Sequence, residues 1–244
     1  MIQPTRATFA LGLLVFALGA SVACSHQERP RTPTEPGAAQ QAIVERSAAA
    51  FTQLRRGKYA ERLQRLTQHA RGIMIFPRLV KASLIFGGEG GNGVLVAKGV
   101  DGSWSNPAFY SLGAPSVGLQ IGYQEATVVL FLMEDSVLEQ ALYSDVTLGA
   151  NTSVAVGEVG QLDQTDGELF SKPIYQLVEA GGAFAGASLS GYVISARNKH
   201  NQAYYGAPAT PRSILLERAQ QRPQANVLLR ALAPDASKPV ATNP

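Results

Sequence analysis

The stretch Ser83-Leu-Ile-Phe-Gly-Gly-Glu-Gly-Gly-Asn-Gly-Val-Leu-Val-Ala97 decides the fold class of this 244-residue chain. Two short apolar runs, Ser83–Phe86 and Val94–Ala97, flank a glycine-rich segment, and this arrangement predicts a β-hairpin. The same glycines match a GxGxxG pattern. A dinucleotide site requires a helix after that pattern, whereas Val94–Ala97 predicts a strand. The stretch therefore predicts a hairpin with its turn at Gly87–Gly93, and not a nucleotide-binding loop.

Further apolar segments on both sides of the hairpin predict a β-rich body. Ile73–Phe76 precedes the hairpin and is closed by Pro77. The later strand candidates are 108–112, 116–123, 126–133, 146–156 and 183–196. Glycines recur within several of these candidates, which is typical of the bulges and bends of a strongly coiled sheet. We expect an α+β fold: an antiparallel or mixed sheet or barrel, with N-terminal amphipathic helices and a C-terminal helix.

The helices are predicted from apolar spacing. Residues 40–56 carry one apolar face, and residues 59–70 repeat Tyr59, Leu63, Leu66 and Ala70 at helical intervals, with Gly57 between the two segments. A third helix is predicted to begin at Asp135 as its N-cap. A C-terminal helix is predicted over 213–221, ending before Pro223.

The first 23 residues read as an export signal. One charge, Arg6, precedes the uncharged apolar run Ala7–Ala23, which is short for a membrane span. The run ends at Ser21-Val-Ala-Cys24, which resembles a bacterial lipobox, although Ser21 stands where Leu is usual. The resemblance predicts acylation of Cys24, the only cysteine in the chain, in the cell envelope at the periplasmic side of the outer membrane. Plain secretion and an uncleaved anchor are the alternatives.

The sequence divides into four parts under this interpretation. Residues 1–23 are the lipoprotein-type signal peptide, and 24–40 form a proline-rich flexible tether. Residues 41–216 form the folded domain. Residues 217–244 are the end of the C-terminal helix and a disordered tail.

Charge is segregated along the chain. Residues 45–81 hold nine basic and two acidic residues, 82–196 hold two basic and twelve acidic residues, and 197–244 hold seven basic and two acidic residues. A basic amphipathic helix can dock on an anionic membrane, or it can pack its apolar face on the body and present its arginines to water. Nucleic acid is the other partner of basic stretches, and the export signal argues against it.

Catalytic and metal sites find little support in the composition. One cysteine and three histidines, none at i,i+4 spacing, disfavour a zinc site and a cysteine framework. Ser190 does not lie in a nucleophile elbow, and His200 lacks an evident carboxylate to orient it. We therefore expect no enzymatic activity and no cofactor.

The order of features resembles the SYLF domain over about residues 41–216. Four stretches carry the resemblance: Ala70–Pro77 with 80–82 and 87–93, Trp104–Phe109 with 117–124, Leu148–Gly157, and Gly182–Gly191 with Asn201 and Tyr204-Tyr-Gly206. The resemblance implies a non-enzymatic, β-rich domain that binds phospholipid through a basic N-terminal helical region. One departure is Glu179-Ala-Gly-Gly182, where relatives tend to have a basic turn.

The implied lipid-binding residues lie in the first basic stretch: Arg55, Arg56, Lys58, Arg62, Arg65, Arg71 and Lys81. The expected ligand is anionic phospholipid. The alternative is a membrane-tethered scaffold without intrinsic lipid binding, which engages a protein partner or associates with itself through its opposite charge blocks.

Overall fold

A computed structural model describes residues 36–83, 86–117, 122–149, 154–161, 171–181, 183–184 and 189–234; within these ranges the side chains of 81–83, 86–88, 115–117, 122–123, 161 and 183–184 are excluded. The predicted signal peptide, Cys24 and the tether up to residue 35 lie outside the described residues, as do residues 235–244 of the predicted tail.

One mixed sheet organises the described residues. Its strands are β1 Gly72–Ser83, β2 Phe86–Ala97, β3 Ala108–Val117, β4 Gly122–Leu132, β5 Val146–Thr147, β6 Val156–Glu158, β7 Ile174–Ala180, β8 Ala183–Phe184 and β9 Val193–Ala196. The spatial order is β5-β9-β3-β2-β1-β4-β7-β6, with β8 paired to β7, and the sheet curls into a half-barrel. The β6–β7 pair is parallel and the other strand pairs are antiparallel. The predicted α+β class is confirmed.

The turn of the first hairpin lies elsewhere than predicted. Gly87–Gly93 does not form the turn but belongs to β2, which pairs with β1 on one side and β3 on the other. The reason is close packing of backbones. A Cβ on Gly93 would lie 2.2 Å from the carbonyl oxygen of Ile75, and one on Gly91 would lie 2.3 Å from that of Arg78. The glycines are therefore needed inside the strand.

Strand β1 also continues through Pro77, where the sequence predicted its end. Its register shifts between Ile75 and Val80 against β2, and between Phe76 and Leu79 against β4. Because proline has no N–H to donate to a sheet, it is accommodated at such an irregularity. The resulting bulge in β1 is the segment that presses on the glycines of β2.

The two N-terminal helices are as predicted. Helix α1 spans Ala38–Leu54 and buries Ile43, Ser47, Phe51 and Leu54. Helix α2 spans Ala60–His69 and buries Leu63 and Leu66. The turn between them contains Gly57 and is closed by the Ala60 N–H, which donates to the Gly57 carbonyl at 3.1 Å. Helix α1 begins at Ala38, so the last three residues of the predicted tether, 38–40, are helical.

Helix α3, Asp135–Tyr143, buries its predicted apolar face of Val137, Leu138, Ala141 and Leu142. Its N-cap position is held by Glu134, which has extended backbone, so Asp135 is the first helical residue and not the cap. A carboxylate in the first turn is favourable at the positive end of a helix.

The C-terminal region differs from the prediction of one helix over 213–221. Helix α4, Asn198–Tyr205, precedes a short α5, Pro211–Leu215, which has a capping box at Thr210 and Ser213. A 3₁₀ turn at Pro223–Ala225 then leads into α6, Asn226–Leu232, which buries Leu228 and Leu232. Pro223 thus begins a helical segment that sequence analysis assigned to a tail, because it fits the first turn of a helix, where no N–H is needed.

The sheet has an apolar cluster on each face. On one face, residues of α1, α2, α4 and α6 pack on Ile73, Ile75, Val94 and Val96. On the other, α3 and α5 pack on Met74, Phe76, Leu95 and their neighbours. Alternate residues of one strand point to opposite faces, so β1 and β2 contribute to both clusters.

The residues of the fourth SYLF-like stretch hold α4 in place. The Phe109 N–H donates to buried Asn201 Oδ1 at 2.7 Å. The Tyr204 hydroxyl donates to Gln41 Oε1 on α1, also at 2.7 Å, and the Tyr205 hydroxyl donates to the Pro107 carbonyl. Their role in this structure is to join α1, α4 and the sheet.

Candidate functional site

The helices on the α1 side of the sheet bring the two basic stretches of the sequence together. Helix α6, from the C-terminal basic stretch, packs along α1, from the N-terminal one. Arg56 of α1's C-terminal turn and Arg230 of α6 are both exposed, and both line a groove of about 680 Å³ between the helices. We call the outer surface of α1, α2 and α6 the basic helical face.

Arg55 is half-buried and contacts the end of α6. Its guanidinium Nη1 donates to the carbonyl oxygens of Ala231 and Ala233, each at 2.8 Å. These carbonyls belong to the last turn of α6, where intrahelical partners are missing and a cation is favourable. Arg55 therefore joins α1 to α6 in this structure, and its predicted role in lipid binding stays a prediction.

Arg62 likewise has an internal role. Its Nη1 donates to the carbonyls of Val159 and Gly160 at 3.2 and 3.1 Å, and its guanidinium lies 5.6 Å from the centre of the Tyr59 ring. It joins α2 to the 3₁₀ turn Val159–Gln161. Arg62 therefore has a structural role, and its predicted contact with lipid stays a prediction.

The other four predicted cations differ in their surroundings. Lys58 is exposed, next to Arg56, with its ammonium 4.8 Å from the Tyr59 ring centre, and Arg65 is half-buried on α2. Arg71 lies at the start of the sheet, 3.5 Å from Asp135, and both side chains are largely exposed. Lys81 lies in β1 opposite Glu89 and Gln124, and its side chain is outside the described residues.

A cavity of about 490 Å³ opens beside the contact between Arg55 and the end of α6. Helix α2, the end of α6 and the turn that carries Gly102 and Trp104 form its walls, and its lining is mostly apolar. None of the described residues that line it is acidic. Sequence analysis did not predict this cavity, since its walls come from three distant parts of the chain.

Lys98 is a half-buried cation in the cavity wall. Its ammonium donates to the carbonyls of Thr67 and Gln68, at 2.6 and 2.7 Å, and lies 4.7 Å from the Trp104 ring centre. Burial lowers the pKa of the Lys98 ammonium, and neighbouring Arg71 lowers this pKa further. A signal was present in the sequence: Lys98 is one of only two basic residues in the acidic stretch 82–196.

The candidates for catalysis do not form a constellation in the described residues. His200 Nε2 lies 3.4 Å from a nitrogen of Arg197, and burial lowers the pKa of the His200 imidazole, with Arg197 lowering it further. The contacts described for His200 do not include Ser190. Within the described ranges, no three His, Cys, Asp or Glu residues are placed to hold a metal ion. No helix described by the structure is long and apolar enough to span a bilayer.

The chain is similar to known proteins over most of this domain. Residues 113–234 match the family model Ysc84, described as Las17-binding protein actin regulator. Protein YSC84 of Saccharomyces cerevisiae is 31% identical over 169 residues, which cover 68% of this chain and 36% of the yeast protein. LAS seventeen-binding protein 3 of the same yeast is 30% identical over 169 residues, with 68% and 37% coverage.

A human relative is similar over a shorter part of the chain. SH3 domain-containing YSC84-like protein 1 of Homo sapiens is 32% identical over 138 residues, which cover 56% of this chain and 40% of the human protein. The chain thus spans about two fifths or less of the length of these relatives. What they share with it is a domain and not the whole protein.

Proposed function

The chain belongs to the Ysc84 family, whose domain is the SYLF domain, and from that premise we propose that it is a non-enzymatic lipoprotein of the bacterial cell envelope whose domain binds anionic phospholipid. The observation that carries the proposal is the basic helical face. Two basic stretches that are separated by the 115 residues 82–196 meet along the α1–α6 groove, at Arg56 and Arg230.

The contacts within this face divide its cations into two roles. Arg55 and Arg62 hold α6 and the Val159 turn, so they set the shape of the surface. Arg56, Lys58 and Arg230 are exposed on it and can approach phosphate groups. Each Lys or Arg near an anionic membrane contributes about 1 kcal/mol to binding.

The proposed anchor is an acylated Cys24. Two or more acyl chains suffice for stable attachment, so the folded domain need not supply the anchorage. The domain would instead recognise the charge of the surface to which the chain is already tethered. In this proposal, the attachment site is the periplasmic side of the outer membrane.

The test separates the domain from its anchor. A Cys24→Ser chain, which cannot be acylated there, is sedimented with neutral vesicles and with phosphatidylglycerol- or cardiolipin-rich vesicles across a salt series. We expect binding to the anionic vesicles alone, and its loss as salt rises, because exposed charges are screened within about 10 Å at 0.1 M salt.

A charge-reversal pair assigns the surface. In the Cys24→Ser background, Arg56→Glu with Lys58→Glu should weaken binding at least about tenfold, since each reversal replaces an attraction of about 1 kcal/mol with a repulsion. The matched control is Lys172→Glu with Lys199→Glu, two exposed lysines outside α1, α2 and α6. Both variants change the net charge equally. Equal loss in both would mean that binding follows net charge and that the assigned face is wrong.

A second candidate is a membrane-tethered protein-interaction module. The printed names of the relatives favour it, since the family model is described as a Las17-binding actin regulator and a yeast relative is a LAS seventeen-binding protein. This candidate would be supported if the Cys24→Ser chain binds none of the vesicle compositions but self-associates at low salt, as measured by sedimentation.

A further inference from the structure

We propose that the cavity between α2, Trp104 and the end of α6 takes one acyl chain of an anionic phospholipid, whose head group lies against the basic helical face. This inference deepens the proposed function and rests on it. It adds a ligand site of defined chemistry: an apolar tail inside the domain and a negative charge at the mouth.

The size and walls of the cavity suit an apolar chain. Small-molecule sites are typically clefts of about 300–1,000 Å³ with mostly apolar linings and few polar groups, and this cavity, at about 490 Å³, lies in that range. Leu229 and Leu232 of α6 and the indole of Trp104 supply apolar surface to its lining. Each methylene that leaves water for such an environment contributes about 0.8 kcal/mol.

The charges around the cavity select an anionic molecule. Arg55 and Lys98 line it, and the described lining contains no carboxylate. An ammonium has three donors, and the two carbonyls of α2 account for two of those of Lys98. Asp101, which precedes the lining residue Gly102, accepts a hydrogen bond from the Ser103 hydroxyl. Its Oδ2 also lies 3.6 Å from Arg218 Nη1.

The cavity lining includes Arg55, which is next to the exposed Arg56 and the α1–α2 turn in sequence. On the other side, Gly102 lines it, and Val100, two residues away, is fully exposed at the tip of its turn. In the proposed arrangement, a membrane that contacts Arg56 and Lys58 also meets the cavity mouth and this apolar turn.

The single tryptophan of the chain makes the cavity directly observable. Trp104 is the only tryptophan in the sequence, so all tryptophan emission comes from the cavity wall. The Cys24→Ser chain is mixed with phosphatidylglycerol vesicles whose acyl chains carry bromine, a contact quencher. We expect loss of most of the Trp104 emission, and no loss with unbrominated vesicles.

Substitutions that fill the cavity should prevent the acyl chain from entering it without changing the charge of the protein. Leu229→Phe narrows it from α6, and Gln64→Phe narrows it from α2. Each should weaken quenching by bromolipid about tenfold in apparent affinity, the equivalent of losing the burial of roughly two methylene groups. Leu216→Phe is the matched control, a partly exposed leucine outside the cavity, and should quench like the parent chain.

The outcomes separate this inference from the proposed function. Sedimentation with anionic vesicles but no bromine quenching would overturn the acyl site and leave charge recognition standing. Quenching by a brominated monomeric lysophosphatidylglycerol without vesicle binding would keep the site and overturn membrane docking. If quenching appears only after residues 235–244 are deleted, those residues occupy the cavity in the full chain, and the inference is overturned.

Discussion

Neighbouring arginines of one chain can serve different purposes, and Arg55 and Arg56 are an example. Arg55 donates to two carbonyls at the end of α6, whereas Arg56 is exposed beside the α1–α6 groove. Sequence analysis assigned both to lipid because the two side chains have the same chemistry. The difference depends on where residues 231–233 fold, about 175 positions away, which local pattern does not indicate.

The contrast predicts opposite outcomes for two alanine variants. Arg55→Ala removes two charge-assisted hydrogen bonds and should lower the free energy of unfolding by about 2 kcal/mol. Arg56→Ala should change it by no more than about 0.5 kcal/mol, as is usual for an exposed position. Urea denaturation of both variants measures this. Equal stabilities would show that the Arg55 contacts do not hold α6.

At the scale of elements, a glycine-rich segment does not always form a turn. The sequence predicted a turn at Gly87–Gly93, but the structure uses these residues inside β2, opposite the bulge of β1. Local composition indicates where glycine is allowed. It does not indicate whether a turn or the close approach of another strand requires it.

The same contact predicts which glycine cannot change. Gly93→Ala would place a methyl group 2.2 Å from the Ile75 carbonyl oxygen and should cost about 3 kcal/mol of unfolding free energy, the upper range for overpacking. Gly90→Ala, with its nearest atom at 3.6 Å, should be neutral within about 0.5 kcal/mol. Thermal and urea unfolding of the two variants give the comparison, and similar losses would refute the close approach.

Other elements were predictable to different degrees. Long apolar periodicity located α1, α2 and α3, because a helix that packs one face on a sheet leaves that pattern in its own sequence. Strand β7 and helices α4 and α6 were missed. Strand β7 carries an apolar run typical of a buried strand, which includes Ile174, Tyr175, Leu177 and Val178. Helix α6 has a weaker pattern, because it is only seven residues long and depends on α1 for its burial.

At the scale of the whole molecule, the two basic stretches of the sequence meet on one face of the sheet, although α5 of the second stretch packs on the other face. Both basic stretches contribute helices to the α1 side of the sheet, while α3 with its acidic first turn packs on the opposite side. The sequence predicted the blocks but not their meeting, because the pairing of α1 with α6 is a long-range contact. The cavity has the same origin and was likewise not predicted.

Buried tyrosines on both sides of the sheet predict a common response to alkaline pH. Burial raises the pKa of Tyr204 to about 12, and burial also raises the pKa of Tyr110 and of Tyr205. An unfolded tyrosine ionises near pH 10, so between about pH 10 and 12 the folded protein holds protons that the unfolded chain has lost. The free energy of unfolding should therefore be unaffected by these groups below pH 10 and fall as pH rises through 12.

Urea denaturation at several alkaline pH values tests this, with Tyr204→Phe as the comparison. The variant loses its bond to Gln41 and should be less stable below pH 10, yet its stability should fall less steeply above pH 10. Lys98, whose pKa is lowered by burial, acts in the opposite direction but is common to both chains. Parallel slopes would contradict the assignment to Tyr204.

The fastening of α6 to α1 also has a consequence for biosynthesis. Helix α1 is the first element of the described domain and α6 is the last, so the buried face of α1 remains incomplete until the ribosome has released residue 232. Folding should therefore begin late and depend on contacts between distant parts of the chain, which slows it. During that interval the exposed apolar side of α1 is open to wrong partners, and a chaperone that holds nascent chains would be expected to bind there.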